Sequence, residues 1–372
     1  MRFHSEHLSP RASASRAVFP LVLMIGIVTR CALGAPAMTG HASPPPPPSH
    51  TTASSNVASR SNAASTSHAA STVHAGTASA APYRSLEVRV RTRDGFTLAG
   101  TLTLPRAVRR PPVVLVISGA SVQDRDASSP HGPYRPFRQI ADTLSRNGIS
   151  VLRLDDRGAG KSTGRIDTLN TAERANDSRD AIEFLRARPD LDASRIALLG
   201  HSEGALIATM IAASDTSIRG LILMASTCAT GRTIVEWQRT LSVQGAPATR
   251  GLQRRILREA MDEWDRRVQT DRWAAFFDTY SPDTTASKVK TPVLILQGDA
   301  DTEVPTSEAD ALAGKFREAG NHSVTVRHLA RLDHAFLDVG NFPDGVAAND
   351  HAFLLGSALL GAIAAWAVPR LH

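Results

Sequence analysis

From residue 86 onward, apolar and polar positions follow a repeating order of short runs and longer periodic stretches. "LEVRVRTRDGFTLAGTLTLP" (86–105) alternates with a period of two and carries Asp94-Gly95 at its centre, which predicts two strands joined by a turn. Continuously apolar runs follow at 112–118 ("PVVLVIS"), 149–155 ("ISVLRLD"), 195–200 ("RIALLG"), 221–226 ("LILMAS"), 291–298 ("TPVLILQG") and 323–329 ("SVTVRHL"). Between them, helical patterns are predicted over about 136–146, 171–187, from 203, and over 307–319, with a last one over about 347–366. Strands that are apolar throughout and alternate with helices predict an α/β fold, a mostly parallel sheet covered on both faces.

The alternation breaks between about 230 and 287. No strand pattern occurs there. Instead "LQRRILREAMDEWDRRVQ" sets Leu252, Ile256, Ala260, Trp264 and Val268 on one helical stripe among charges. This predicts a helical cap inserted over the carboxyl edge of the sheet, where the ligand sites of such folds lie. Its aromatic residues Trp237, Trp264, Trp273, Phe276 and Phe277 either line an apolar acyl or aromatic pocket or form the cap's own core.

Composition divides the 372-residue chain further. Residues 1–34 read as a secretory signal peptide: Arg2, Arg11 and Arg16, then the apolar run "AVFPLVLMIGIVT", then small residues in "ALGAPA". An uncleaved signal anchor is the competing reading. A lipoprotein is disfavoured because Arg30, not a small residue, precedes Cys31. Residues 35–82 are built from Ala, Ser, Thr, His and Pro with five consecutive prolines, and have too few large apolar residues to offset the entropy of ordering. They read as a disordered linker, their four scattered histidines (41, 50, 68 and 74) included. Residues 83–372 are then the folded domain of a protein exported to the periplasm or the exterior, touching membrane only through an uncleaved signal segment.

Charge and cysteine content exclude two classes. Of the formal +7, residues 1–34 hold +3 (four arginines against Glu6) and Arg60 one more, leaving +3 on residues 83–372. So small a charge over so large a domain gives no case for nucleic acid. With Cys228 the sole cysteine after signal removal, no internal disulfide forms. "RLDDRGAGKSTG" (153–164) has the Gly-Lys-Ser of a phosphate-binding loop, but the glycine that must open such a loop is Asp155 here, and two carboxylates stand where a polyphosphate would sit.

The chemistry concentrates after the strands. "GHSEGA" (200–205) fits G-x-S-x-G between a strand and a helix, a sharp turn that exposes the serine hydroxyl and tolerates only small flanking residues. This singles out Ser202 as nucleophile; the plainer alternative is a glycine-rich turn whose serine caps the helix. An acid and then a histidine are expected downstream. "DADTEVP" supplies Asp301, with Asp299 in reserve. "RLDHAFLD" places His334 on the loop after the last strand, whereas His322, His328, His351 and His372 lie within elements or at the terminus. His201 is expected to point away from the serine and pack. The oxyanion donors are the backbone N–H groups of Glu203 and of Ala120 in "SGASVQDRD", with Ser121 second to Ala120. Arg125 is the residue of that loop expected on the active-site side. A calcium-type reading of Asp299, Asp301 and Glu303 fails because Val304 occupies the position of the loop glycine.

Taken in order, "SGASVQDRD", "FRQIADTLSRNGISVLRLDDRGAGKSTG", "GHSEGA", "TPVLILQGDADTEVP" and "DHAF" resemble the α/β-hydrolase superfamily, in particular its esterases grouped with serine aminopeptidase-like and dienelactone-hydrolase-like members. The resemblance covers about residues 83–372. It implies an α/β-hydrolase fold, a Ser202–Asp301–His334 triad, structural roles for Asp156, Arg157 and Gly158, and neither cofactor nor metal. Relatives usually carry a second glycine and a proline where this chain reads Gly119-Ala120-Ser121-Val122. The implied activity is hydrolysis of a small ester through an acyl-enzyme. The alternatives are a peptidase holding a free amine on Glu203 or Asp124, and a non-catalytic hydrolase-fold binding module, against which the intact Ser/Asp/His set argues. Oligomeric state is not encoded in any of these features.

Overall fold

The computed structural model describes residues 81–372, except 131, 245–248, 343–346 and 348. The signal-peptide and linker expectations lie outside the described residues, apart from Ala81 and Pro82. Eight strands form one sheet: β1 (Tyr83–Arg91), β2 (Thr97–Pro105), β3 (Val113–Ile117), β4 (Ser150–Leu154), β5 (Ile196–His201), β6 (Leu221–Met224), β7 (Val293–Gly298) and β8 (Val324–Leu329), in the order β1-β2-β4-β3-β5-β6-β7-β8. β1 and β2 form an antiparallel hairpin turning through Gly95 at φ 91°, and β2 pairs antiparallel with β4. From β4 to β8 every pairing is parallel.

The continuous apolar runs are explained by burial on two sides. Val113, Leu115 and Ile117 of β3 enter one core while Val114 and Val116 enter the other, the period-two alternation of a strand with no solvent face. Helices α2 (Thr171–Arg186), α3 (Glu203–Ala212) and α8 (Ser307–Glu318) cover the first face through Ile182, Leu185, Ile207, Ile211, Leu312 and Phe316. Helices α1 (Pro136–Arg146) and α9 (Ser357–Leu371) cover the second through Phe137, Ile140, Leu144, Leu359, Ile363 and Trp366. Asn170 and Glu173 start α2 with a reciprocal capping box.

Between β6 and β7 the chain is helical: α4 (Gly231–Gln244), α5 (Arg250–Thr270), α6 (Arg272–Thr279) and α7 (Pro282–Ala286). The cap has a small core of Val235, Trp264 and Ala274. The expected α5 stripe is buried only in part. Trp264 is its one fully buried member, while Leu252 and Ile256 are exposed. The last helix also differs from the expectation. The apolar pattern predicted it over 347–366, but Asn349 caps a short 3-10 turn (Asp350–Phe353), and α9 starts only after Gly356. Residues 351–371 are long and apolar enough to cross a membrane by composition alone; in the fold, the Leu359, Ile363 and Trp366 stripe is buried on the sheet.

Candidate active site

The parallel strands aim their carboxyl ends at the cap, so the loops after β3, β5, β7 and β8 meet beneath it. After β5, the chain turns into α3 through Ser202, whose backbone is left-handed (φ 54°, ψ −119°). This turn explains the flanking glycines. A Cβ on Gly200 would lie 2.2 Å from the Gly204 carbonyl oxygen, and one on Gly204 would lie 2.2 Å from that of Ile117. Both clashes are with backbone, which cannot move aside as a side chain can. Ser202 N–H donates to the Met224 carbonyl (2.8 Å), tying the turn to β6. The Ser202 hydroxyl has no hydrogen-bond partner among the described residues, so it does not cap α3.

After β7, Asp301 is buried and saturated with donors. Oδ1 accepts from the N–H groups of Glu303 (2.8 Å) and Val304 (2.9 Å); Oδ2 accepts from Gln297 Nε2 (2.8 Å) and faces His334 Nδ1 at 2.9 Å. Burial pushes its carboxyl up, but the charge of His334 and these hydrogen bonds more than reverse that, and its pKa is lowered. Asp299, the reserve acid, faces His328 Nδ1 at 3.4 Å and is not part of this group.

His334 stands on the loop after β8. Burial disfavours its charged form, yet Asp301, then Glu303, raise its pKa to about 9 from an ordinary 6.5. Glu303 is the residue that sequence reasoning passed over: one of the three carboxylates that "DADTEVP" offers, it was chosen neither as the acid nor as the reserve. Its Oε2 lies 3.7 Å from His334 Nε2, and its side chain is 26 % exposed in the same cavity. His201 was also undervalued. Its Nε2 lies 2.9 Å from the His334 carbonyl oxygen, and burial together with the charge of His334 lowers its pKa to about 4. A neutral ring whose Nε2–H donates to that carbonyl braces the loop that carries His334. The adjacency of His201 to Ser202 was the only sequence signal.

These side chains face a cavity of about 610 Å³, counted to its open mouth and lined by Ala120, Ser202, Glu203, Glu303 and His334 under Ile234, Trp273 and Phe277 of the cap. Trp273 and Phe277 stack at 5.0 Å, and Phe276 stacks on Tyr280. Trp264, Trp273 and Phe277 therefore serve both roles foreseen for the cap aromatics, lining the cavity and packing the cap core. The N–H groups of Ala120 and Glu203 both belong to residues lining the cavity, and neither donates to an acceptor among the described residues. Glu203 N–H also opens α3, where helix amides favour negative charge. Ser121 is exposed and outside the cavity.

Two expected residues, Arg125 and Asp124, lie outside the cavity, and the side chain of a third, Glu203, is taken up by neighbours. Arg125 turns toward the β1–β2 edge and pairs with Asp155 (2.8 Å) and Glu87 (2.8 Å), because a buried carboxylate on β4's end offers it a better partner than the cavity does. Asp124 accepts from the N–H groups of Asp126 and Ser128 in its own loop. The Glu203 carboxylate is consumed by Thr171 Oγ1 (2.6 Å), Trp273 Nε1 (2.9 Å) and Arg174. Asp124 does not line the cavity, and the Glu203 carboxylate is engaged on both oxygens. The run at 153–164 wraps a carboxylate of its own: Lys161 N–H donates to Asp155 Oδ2 (3.0 Å), and a Cβ on Gly160 would strike that oxygen. Arg157 pairs with Asp94 (2.7 Å) and Asp177 (2.5 Å). Cys228 is half-buried with its thiol pushed up to about 11 by burial, then by Glu308, and is unreactive near neutrality.

Comparison with known proteins adds a family and a fold. The profile of the family described as serine aminopeptidase, S33, matches residues 133–338, more than half of the chain. Esterase EstD of Thermotoga maritima is 31 % identical over 128 residues, 34 % of this chain and 30 % of that protein. Thiohydrolase apmlB of Arthrinium phaeospermum is 32 % identical over 137 residues, 36 % of this chain and 41 % of that protein. The matched segment thus spans about a third of the length of these curated relatives. The solved esterase Pf2001 of Pyrococcus furiosus superposes with a TM-score of 0.56 at 16 % identity, covering 78 % of this chain and 92 % of that one. The fold is that of the α/β-hydrolases.

Proposed function

This chain belongs to the serine aminopeptidase S33 family of α/β-hydrolases, and from that premise we propose that it is a serine hydrolase acting on small carboxylic esters. The observation that carries the reading is the meeting of Ser202, on left-handed backbone, with His334, bonded through Nδ1 to buried Asp301, in one apolar cavity beside two unpaired N–H groups. Neutral His334 takes the proton of Ser202 as Oγ attacks the ester carbonyl. The N–H groups of Glu203 and Ala120 hold the oxyanion. The imidazolium, stabilised by Asp301, returns the proton to the departing alkoxide, and water then releases the acyl group by the same exchange. An apolar wall with few polar groups suits an acyl or aryl group better than a sugar or a phosphate.

The decisive experiment is hydrolysis of short-chain p-nitrophenyl esters by the full chain and by Ser202→Ala, with fluorophosphonate labelling of both. Turnover and labelling that vanish together in the variant establish the serine hydrolase. A folded wild type with neither signal refutes it. One observation favours the aminopeptidase alternative: Glu303 presents to the cavity a carboxylate whose one cationic partner among the described residues is His334. Under that reading, amide substrates with a free α-amine are cleaved and their N-acetylated forms are not. We also read residues 1–34 as an export signal and 35–82 as a linker; N-terminal sequencing of the secreted protein would find a start near residue 35, and retention of Met1 would refute cleavage.

A further inference from the structure

Arg174 has no place in the chemistry above, yet it is buried, 7 % exposed, and its guanidinium reaches three segments at once. One nitrogen donates to the Gly119 carbonyl oxygen at 3.0 Å and lies 3.6 Å from Asp156 Oδ2; the other donates to Glu203 Oε2. Asp156 in turn accepts from Ser118 Oγ (2.6 Å) and from the Gln123 N–H (3.0 Å), the two ends of the loop that holds Gly119 and Ala120.

The Gly119 carbonyl and the Ala120 N–H are the two poles of a single peptide group. A trans peptide is planar, so its C=O and N–H point in opposite directions. Whatever fixes the Gly119 oxygen also fixes the direction of the Ala120 N–H. The rigid guanidinium fork anchors Gly119 with one arm and, with the other, the side chain of Glu203, whose own N–H is the second unpaired donor. A charge-assisted bond to the carbonyl also polarises the amide and makes its N–H a stronger donor. We propose that Arg174 is a positioning residue for the oxyanion site: it sets the orientation and spacing of the Ala120 and Glu203 N–H groups across the gap between the β3 loop and α3. The assignment rests on the serine-hydrolase reading of the same site.

The test uses the full chain, Ser202→Ala, Arg174→Lys and Glu203→Gln, each checked for folding by circular dichroism. Lysine keeps the charge but reaches only one acceptor; glutamine keeps the Glu203 N–H and the acceptor for Trp273 while weakening the hold on Arg174. Loss of an oxyanion donor costs about 10²–10³ in kcat, and donors displaced rather than deleted should cost about 10–100-fold. The expected result is that fall in kcat with KM within about threefold of wild type, matched by an equal loss of affinity for a boronic acid that mimics the tetrahedral anion, while a neutral substrate-like inhibitor binds unchanged. If both variants keep kcat within about threefold, or if KM and neutral-inhibitor binding fall in step with kcat, the assignment is overturned. Wild-type turnover that survives Ser202→Ala, or a wild type that neither turns over esters nor takes up fluorophosphonate, overturns the serine-hydrolase reading and this assignment with it.

Discussion

Replacing Glu303 by glutamine should make the protein more active at neutral pH, an unusual direction for a change inside a catalytic cavity. In the mechanism we propose, His334 acts as a base only when neutral, but Asp301 and Glu303 together hold it at about 9 against the opposing effect of burial, so near pH 7 about one molecule in a hundred carries a neutral ring. Glu303 Oε2 lies 3.7 Å from Nε2. Two unit charges about 4 Å apart interact by roughly 1 kcal/mol in bulk water and roughly 4 kcal/mol at the dielectric of a protein edge. A carboxylate 26 % exposed stands between these limits, and a value of about 2 kcal/mol corresponds to ~1.5 pH units at 1.36 kcal/mol per unit. Glu303→Gln keeps the shape and removes the charge. The rising limb of kcat/KM against pH should therefore move to lower pH by about 1–2 units, and activity at pH 7 should rise about tenfold or more. The assay is p-nitrophenyl ester hydrolysis followed at the isosbestic wavelength from about pH 5.5 to 10, with His334→Ala as the blank. A limb that stays within about 0.3 unit, or moves to higher pH, would refute the electrostatic argument.

The two histidines also set the pH dependence of stability, with opposite signs. His334, raised to about 9 from 6.5, contributes stability that is complete below pH 6.5 and lost as pH rises through about 9; His201, lowered to about 4, contributes stability that is present above 6.5 and lost as pH falls toward 4. Between about pH 4 and 6 the raised carboxyls of Asp156 and Asp333 oppose His201, so the test is on the alkaline side: urea midpoints should fall as pH rises from about 7 toward 9, and that slope, at most about 1.4 kcal/mol per pH unit from His334, should flatten in Glu303→Gln; an unchanged slope in that variant contradicts the pairing. Gly204→Ala drives a Cβ to 2.2 Å from the Ile117 carbonyl oxygen, and should destabilise by about 3 kcal/mol, the upper end for overpacking; a urea midpoint equal to wild type would show that the turn is not as tight as described. His201→Phe keeps an aromatic ring, slightly larger than the imidazole, but leaves the His334 carbonyl without its donor, at a cost of about 1–3 kcal/mol and with kcat lowered about tenfold through a loosened His334 loop; unchanged melting and turnover would remove the bracing role.

The sequence made the sheet legible because its strands are buried on both faces. Burial on both sides forces continuous apolar runs, and the runs at 112–118, 195–200 and 291–298 contain Val113–Ile117, Ile196–His201 less its last residue, and Val293–Gly298. Where a segment is buried on one side or partnered for only part of its length, the pattern misled. Leu252 and Ile256 share the periodicity of Trp264 but have no covering element, and the apolar residues before Gly356 imitate the start of a helix that begins after it. The Gly-x-Ser-x-Gly constraint was legible because its spacing is a fixed local pattern, and the Gly200 clash is with Gly204 inside the turn itself; the Gly204 clash, with Ile117 at the end of β3, was not readable from the chain. Arg174 and Glu303 were not legible. Their partners lie 55 and 31 residues away, at Gly119 and His334, and no spacing rule links a helix residue to a loop on another strand.

The contacts that seat the cap bear on residues of the cavity floor, and this joins the two halves of the molecule chemically as well as sterically. Trp273 donates to the Glu203 carboxylate, Gln238 Nε2 to the Glu303 carbonyl oxygen (2.7 Å), and Arg272 to Glu173 (2.5 Å) at the start of the helix that carries Arg174. Glu203 is the residue after Ser202, and Glu303 follows Asp301 by two. Moving the cap enough to break these three bonds would therefore alter not only the apolar wall but also the groups that aim the Glu203 N–H, set the charge on His334 and hold Arg174 in place. A cap that only roofed a pocket would need no polar contact with its floor, and the desolvation of Trp273 Nε1 and Gln238 would then be an uncompensated cost. With the contacts made, closing the cavity and ordering its donors become one event, so substituting Trp273 by phenylalanine is expected to disturb turnover more than the loss of one apolar contact would.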